Sequence, residues 1–259
     1  MMLRLPARIR RFFQPMVRVS TVLQGLRDLP VEDSRAVLGA EPLLVLAPHP
    51  DDESLGCGGL IAEHHARGHD VHVLVLTDGT GSHPRSREYP PTRLAALRMR
   101  EARDAICALG LPEDRIEFLG LRDGHAPLSG RELDDAVARV AAYARLRGIR
   151  VICTTWPHDP HPDHQAAYRV GQLAARQVGA RLLGYPVWTW TLPPTGWLPD
   201  APLRGARLDI TRHLAAKRSA IACHRSQLTD LIQDDPSGFR LSPAFMAIFD
   251  WPFEVFINE

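Results

Sequence analysis

No stretch of this sequence stays apolar over the roughly 20 residues that a membrane-spanning helix needs, so no such helix is expected. An excess of one charge is lacking too: 31 Lys and Arg stand against 30 Asp and Glu, a formal net charge of +1. That balance carries no electrostatic footprint for nucleic acid or for a strongly acidic partner. Cysteine is sparse, at Cys57, Cys107, Cys153 and Cys223, with no C-x-x-C pair. A disulfide framework is therefore not expected, and a reducing cytoplasm fits best. Cys57 adjoins the first motif described below, where a metal or nucleophile role competes with simple packing of a small thiol; packing is the reading adopted. Internal repeats and low-complexity tracts are missing as well.

What is present begins with a basic arm. The first 27 residues carry Arg4, Arg8, Arg10, Arg11, Arg18 and Arg27 and no acid, interleaved with Leu3, Leu5, Ile9, Phe12, Phe13, Met16 and Val17. No long apolar segment followed by a small-residue cleavage site occurs, so a signal peptide is not indicated. Such an arm suits peripheral contact with an anionic membrane surface. It equally suits packing on its own domain or on a neighbouring subunit, which would make a homo-oligomer. Residues 1–35 thus read as a basic N-terminal extension. Residues 36–259 read as a single domain, long enough to bury a substantial core.

Within that domain, strands and helices alternate. Pro42 to Ala47 and Asp70 to Leu76 are short apolar runs of the kind buried strands make. Between them Gly59 to Arg67 is helix-compatible and Gly68 ends it. Thr92 to Leu109 reads as a helix, Arg115 to Leu119 as a strand, and Ser129 with Glu132 as a capping box opening the next helix. Val151 to Thr155 is a further strand, followed by a helix from Pro162 to about Gln177 and a strand at Arg181 to Val187. Trp188 to Arg204, rich in proline, reads as a loop or lid, and Ala215 to Leu231 as a final amphipathic helix. The pattern predicts an α/β fold with a mostly parallel sheet flanked by helices, whose ligands bind beyond the carboxyl ends of the strands.

Two segments at such strand ends concentrate histidine and aspartate. The first is Pro48-His49-Pro-Asp51-Asp52-Glu53; the second runs from Trp156 through His158 and His161 to Asp163 and His164. Either alone could be a helix cap or a surface histidine. Together they point to a catalytic metal site, since zinc takes imidazole and carboxylate and keeps one position open for water. His49, Asp52 and His164 supply three ligands most economically. Asp51 is then free to accept a proton from the water, and His161 to face it from the other side.

These motifs, with Gly56, Gly58 and Gly59 after the first, resemble the LmbE/PIG-L family of zinc N-deacetylases from about Leu43 to the last helix. The resemblance implies a Rossmann-like sheet and hydrolysis of acetylated glucosamine-type sugars. It implies zinc on His49, Asp52 and His164, Asp51 as general base, His161 stabilising the tetrahedral intermediate, and Asp163 orienting a ligand histidine. Arg98 and Asp123 resemble sugar-contacting positions; the alternatives are an ion pair of Arg98 with Glu101 and an ordinary turn aspartate. Other readings weighed are a thiol-sugar amidase or other amidase, a metallophosphoesterase and a non-catalytic sugar-binding protein. Dinucleotide binding is disfavoured because Ile61 stands where the third fingerprint glycine belongs; close backbone approach around the metal loop is the role expected of the glycines. Tyr185, Trp188, Trp190 and Trp197 could pack on sugar rings or be structural.

Overall fold

The computed structural model describes residues 15–259. Arg4, Arg8, Arg10 and Arg11 of the basic arm lie outside them. The described chain opens with β1 (Met16–Arg18), α1 (Val19–Arg27), β2 (Val31–Glu32) and α2 (Ser34–Leu38). The alternation follows: β3 (Leu43–Ala47), α3 (Asp52–Ala66), β4 (Val71–Thr77), α4 (Pro91–Ala108), β5 (Ile116–Leu121), α5 (Gly130–Leu146), β6 (Val151–Thr155), α6 (Pro162–Val178) and β7 (Arg181–Tyr185). The C-terminal part adds β8 (Trp197–Pro199), β9 (Gly205–Asp209), α7 (Leu214–Cys223), α8 (Arg225–Leu228), α9 (Pro243–Phe249) and β10 (Phe253–Asn258).

Eight strands form the main sheet in the order β2-β9-β10-β7-β6-β3-β4-β5. The run β7-β6-β3-β4-β5 is parallel throughout, while β10 is antiparallel to both its neighbours. The expected Rossmann-like, mostly parallel sheet is observed. Strand residues alternate between its faces. Leu43, Val45 and Ala47 join one core with α3, α4 and α7; Leu44 and Leu46 join the other with α5 and α6. The chain leaves β3 toward β4 and β5 on one side and returns to β6 and β7 on the other. The gap between the β3 and β6 carboxyl ends is therefore the topological switch point, where doubly wound sheets bind ligands.

Residues preceding the parallel sheet are tied into the structure. β1 pairs with β8, β2 extends the sheet beside β9, and Val19, Val22, Leu23 and Leu26 of α1 are buried against Trp156, Val255 and Ile257. Among the described residues no helix is long and apolar enough to cross a membrane.

Several local expectations differ from the structure, among them the loop expected at Trp188 to Arg204, which contains β8. Ser129 is the N-cap of α5, but its side chain makes no capping hydrogen bond. The segment from Ala215 to Leu231 is not one helix: it breaks at His224, whose imidazole turns inward to Glu53 and Ser54. Nor is it the last element, since α9 and β10 follow. The helix expected from Gly59 starts at Asp52 instead, so the glycines lie inside α3 rather than in a loop. A Cβ on Gly56 would stand 2.2 Å from the Tyr185 ring, and one on Gly59 2.4 Å from Ile210. They let the helix pack its backbone on its neighbours.

Candidate active site

The first motif is a tight turn from β3 into α3. Thr77 of the adjacent strand donates both its backbone N–H and its hydroxyl to the Pro48 carbonyl, each at 2.9 Å. The His49 N–H donates to Asp52 Oδ2 at 3.0 Å and closes the turn. Asp51 then caps α3 with φ 156° and ψ −26°, the one non-glycine residue of positive φ among the described residues. Such strain persists only where the surroundings hold it. Here the Asp51 N–H donates to Glu53 Oε2 at 3.0 Å, and Glu53 Oε1 in turn meets Ser54 Oγ at 2.7 Å and His224 Nε2 at 3.2 Å.

The second motif runs from β6 into α6. His161 is the N-cap, its Nδ1 accepting the Asp163 N–H at 3.2 Å, and Pro162 is the first helical residue. Thr155 Oγ1 donates to the His164 carbonyl at 2.8 Å. Asp159, fully buried, accepts the N–H groups of Val187 and Trp188 on one oxygen, which also lies 3.4 Å from His164 Nδ1.

At the switch point the two motifs meet. Asp52 Oδ2 lies 3.1 Å from His49 Nδ1 and 3.2 Å from His164 Nε2. The His161 ring stands 4.7 Å from that of His49 and 5.1 Å from that of His164. On its other nitrogen, His49 Nε2 faces Asp123 Oδ1 and Asp163 Oδ2, each at 3.2 Å. Burial lowers the His49 pKa, but Asp123, Asp163 and Asp52 more than reverse this and hold it well above the ordinary value. Burial likewise works against His164, and Asp52 and Asp159 overcome it, raising the pKa to about 9. Against its own burial, Asp52 is held far below the usual carboxylate range by His164 and His49. The site thus has a strong preference for positive charge among its carboxylates.

That charge need not come from protons. Both ring nitrogens of His164 are buried and face the Asp52 and Asp159 carboxylates, but neither does so in good hydrogen-bond geometry. Imidazole nitrogens and carboxylate oxygens are the donors that borderline dications take. Two groups of three described residues have donor atoms within 4.8 Å of one another: His49 with His161 and His164, and His49 with Asp123 and Asp163. The donor chemistry fits a divalent metal.

Asp51 is the other buried carboxylate. Burial raises its pKa and outweighs the opposing cation of Arg98, leaving it at about 6. Arg98 reaches it from α4, with one terminal nitrogen 3.0 Å from Asp51 Oδ2 and 2.9 Å from the Pro50 carbonyl, and the other 2.8 Å from the Gly79 carbonyl. The pair with Glu101 is not formed; Glu101 instead accepts the N–H and hydroxyl of Ser226. Asp123 accepts the Gly81 N–H at 2.9 Å. Burial and the neighbouring His49 and His164 push the His161 pKa down, which favours its neutral form. With Nδ1 accepting, the proton sits on Nε2.

His49, Asp51, Asp52, Arg98, Asp123 and His161 border one cavity of about 550 Å³. Of the four aromatic residues singled out by composition, Trp188 alone lines it. Tyr185 is core, Trp190 borders a separate cavity, and Trp197 lies on the surface beneath Arg18. Sequence reasoning missed Asp159, Glu53 with His224, Gln227 and Phe239. Asp159 could have been suspected from its place among the histidines of the second motif. Glu53 closes the first motif but nothing local points to its pairing with His224, and His224, Gln227 and Phe239 stand apart from both motifs.

A family model described as PIG-L, GlcNAc-PI de-N-acetylase, matches residues 44–175. Similar proteins include a 1D-myo-inositol 2-acetamido-2-deoxy-alpha-D-glucopyranoside deacetylase of Rhodococcus opacus, 29% identical over 72% of this chain and 82% of the relative. The protein of the same description from Mycolicibacterium gilvum is 31% identical over 77% of this chain and 84% of its own. Among solved structures, the conserved protein TT1542 from Thermus thermophilus superposes with a TM-score of 0.61 and 26% identity, over 84% of this chain and 94% of its own.

Proposed function

Because this chain belongs to the PIG-L family, we infer that it is a hydrolase that removes the acetyl group from an N-acetylglucosamine-type sugar or glycoconjugate, with zinc as its metal. The observation that carries this reading is the meeting of His49 and His164 at one oxygen of Asp52, beside a second carboxylate, Asp51, on the wall of a cavity. The free thiols, with Cys57 and Cys153 sulfurs 3.9 Å apart, suit a reducing cytoplasm.

His49, Asp52 and His164 would hold the zinc, a mixed imidazole and carboxylate set of the catalytic kind. Bound there, zinc would supply a Lewis acid for the acetyl carbonyl and make an attacking water more acidic. Asp51 accepts the proton of that water. With a pKa of about 6 it is charged at neutral pH and still basic enough to take the proton, then to return it to the leaving amine. His161 donates from Nε2 to the oxygen on which negative charge develops. Asp163 faces His49 Nε2 and fixes that ring. Asp123 and Arg98 border the space where the sugar would lie.

Elemental analysis of the protein and of its His49→Ala, Asp52→Ala and His164→Ala variants tests the metal. One zinc per chain is expected, lost in each variant; full occupancy in all three refutes the ligand set. Acetate release from a panel of acetylated sugars, nucleotide sugars and glycolipids tests the reaction. Silence of the zinc-loaded protein on every N-acetylglucosaminide refutes it.

A further inference from the structure

The cavity has two unlike walls. One is the polar floor already described. The other is apolar and consists of Leu55 from α3 with Trp188, Phe239 and Leu241. Of these four, only Leu55 lies within the family-matched residues 44–175, so the wall belongs largely to this chain's own C-terminal part.

The wall is built firmly. Trp188 stacks on Phe245 with centroids 4.4 Å apart and meets the Phe239 ring edge-on at 5.6 Å. Its backbone N–H is held by Asp159, the carboxylate that also faces His164. The Phe239 N–H donates to the Ser82 carbonyl at 2.6 Å, and the Leu241 N–H to the Gln227 carbonyl at 2.8 Å. Phe239 is 40% exposed at the mouth and Trp188 half-buried behind it, so an apolar face runs from solvent inward. A continuous apolar face rimmed by polar groups, in a cavity, marks a ligand surface.

Charge narrows the ligand. Arg98 is the one Lys or Arg among the described lining residues, and its two terminal nitrogens are engaged by Gly79, Pro50 and Asp51. A phosphate on the sugar would meet Asp51, Asp52 and Asp123, and outside the metal site no Lys or Arg of the lining is free to receive it. An uncharged apolar group would meet aromatic faces.

We propose that Leu55, Trp188, Phe239 and Leu241 form a subsite for an uncharged alkyl or aryl group carried by the acetamido sugar, so that the preferred substrate is amphipathic. This rests on the deacetylase reading. The group can be an aglycone on the anomeric oxygen or an extension of the N-acyl chain; both offer the wall the same chemistry.

The zinc-loaded chain is assayed on methyl, butyl and hexyl N-acetylglucosaminides, and separately on N-acetyl-, N-butanoyl- and N-hexanoylglucosamine. A rise in kcat/KM of roughly two- to fourfold per methylene is expected in the series whose tail reaches the wall, and the responding series identifies the source. Phe239→Ser and Trp188→Ala should flatten that rise. Trp188→Ala also removes the stack on Phe245, so Phe239→Ser decides if Trp188→Ala fails to fold. A flat response in both series, or a slope unchanged in Phe239→Ser, overturns the proposal. If no glucosaminide is turned over, the deacetylase reading fails instead. Binding of hexyl glucoside against methyl glucoside, followed by tryptophan fluorescence, then judges the wall alone, and equal affinities overturn it.

Discussion

Replacing Arg98 by methionine should move the acidic limb of the pH–rate profile upward while leaving zinc bound. As the proposed general base, Asp51 must be deprotonated to act, so kcat/KM is expected to fall as pH drops through its pKa. Burial raises that pKa and the Arg98 cation holds it down, with the balance at about 6. The two groups are 3.0 Å apart and both are buried, so salt screens them little. An adjacent arginine lowers an aspartate pKa by about one to three pH units, and its loss should raise the limb by that amount. A two-unit move leaves about one-tenth of Asp51 charged at pH 7 instead of about nine-tenths, roughly a tenfold loss that is recovered above about pH 9. Arg98→Lys, which keeps the charge, should return the limb most of the way. The variants also release the Gly79 and Pro50 carbonyls, so melting temperature is measured beside kcat/KM from pH 5 to 9.5. A loss that persists undiminished at high pH, with KM raised and the limb unmoved, would show that Arg98 acts on the sugar and not on the base.

Three further outcomes are expected. Asp51→Asn should keep its zinc by elemental analysis while turnover falls by orders of magnitude, and His161→Ala should lose roughly 10²-fold in kcat; near-parental rates in either remove that residue from the mechanism. Lys217→Met should lower stability by about 3–5 kcal/mol, because Lys217 Nζ sits 2.7 Å from Glu254 Oε1 and that buried carboxylate also receives the Gly59 and Leu60 N–H groups of α3. Thermal denaturation should show a midpoint roughly 10 °C lower, and the double variant with Glu254→Gln should cost less than the two single changes added. Gly56→Ala, whose new methyl would stand 2.2 Å from the Tyr185 ring, should cost about 1–3 kcal/mol by overpacking; an unchanged midpoint would mean that the helix moves freely, against the close packing described.

Local rules were enough for much of this protein. Apolar runs such as Leu43–Ala47 and Val151–Thr155 read as buried strands because every side chain in them is covered. Pro162 reads as a helix start because a missing N–H costs nothing there. The histidine–aspartate segments announced a metal centre because so many donors lie within a few residues of one another. Composition could not sort the tryptophans: Trp188, Trp190 and Trp197 are close in sequence yet face a cavity wall, another cavity and solvent.

Which distant residues meet follows from the closed fold alone. The site exists because β3 pairs with β6 and not with another strand, setting Leu46 beside Thr154 and bringing His49 to Asp163, 114 residues away. No local propensity encodes that neighbourhood; it follows from the chain turning back at the switch point. The same holds for the buried polar pairs. His224 breaks a helix that its surrounding residues favour because its ring pairs with Glu53, and Lys217 is buried because Glu254 waits in β10. Burying such groups is unfavourable unless a partner is present, and the partner is supplied only when the whole sheet has closed around them.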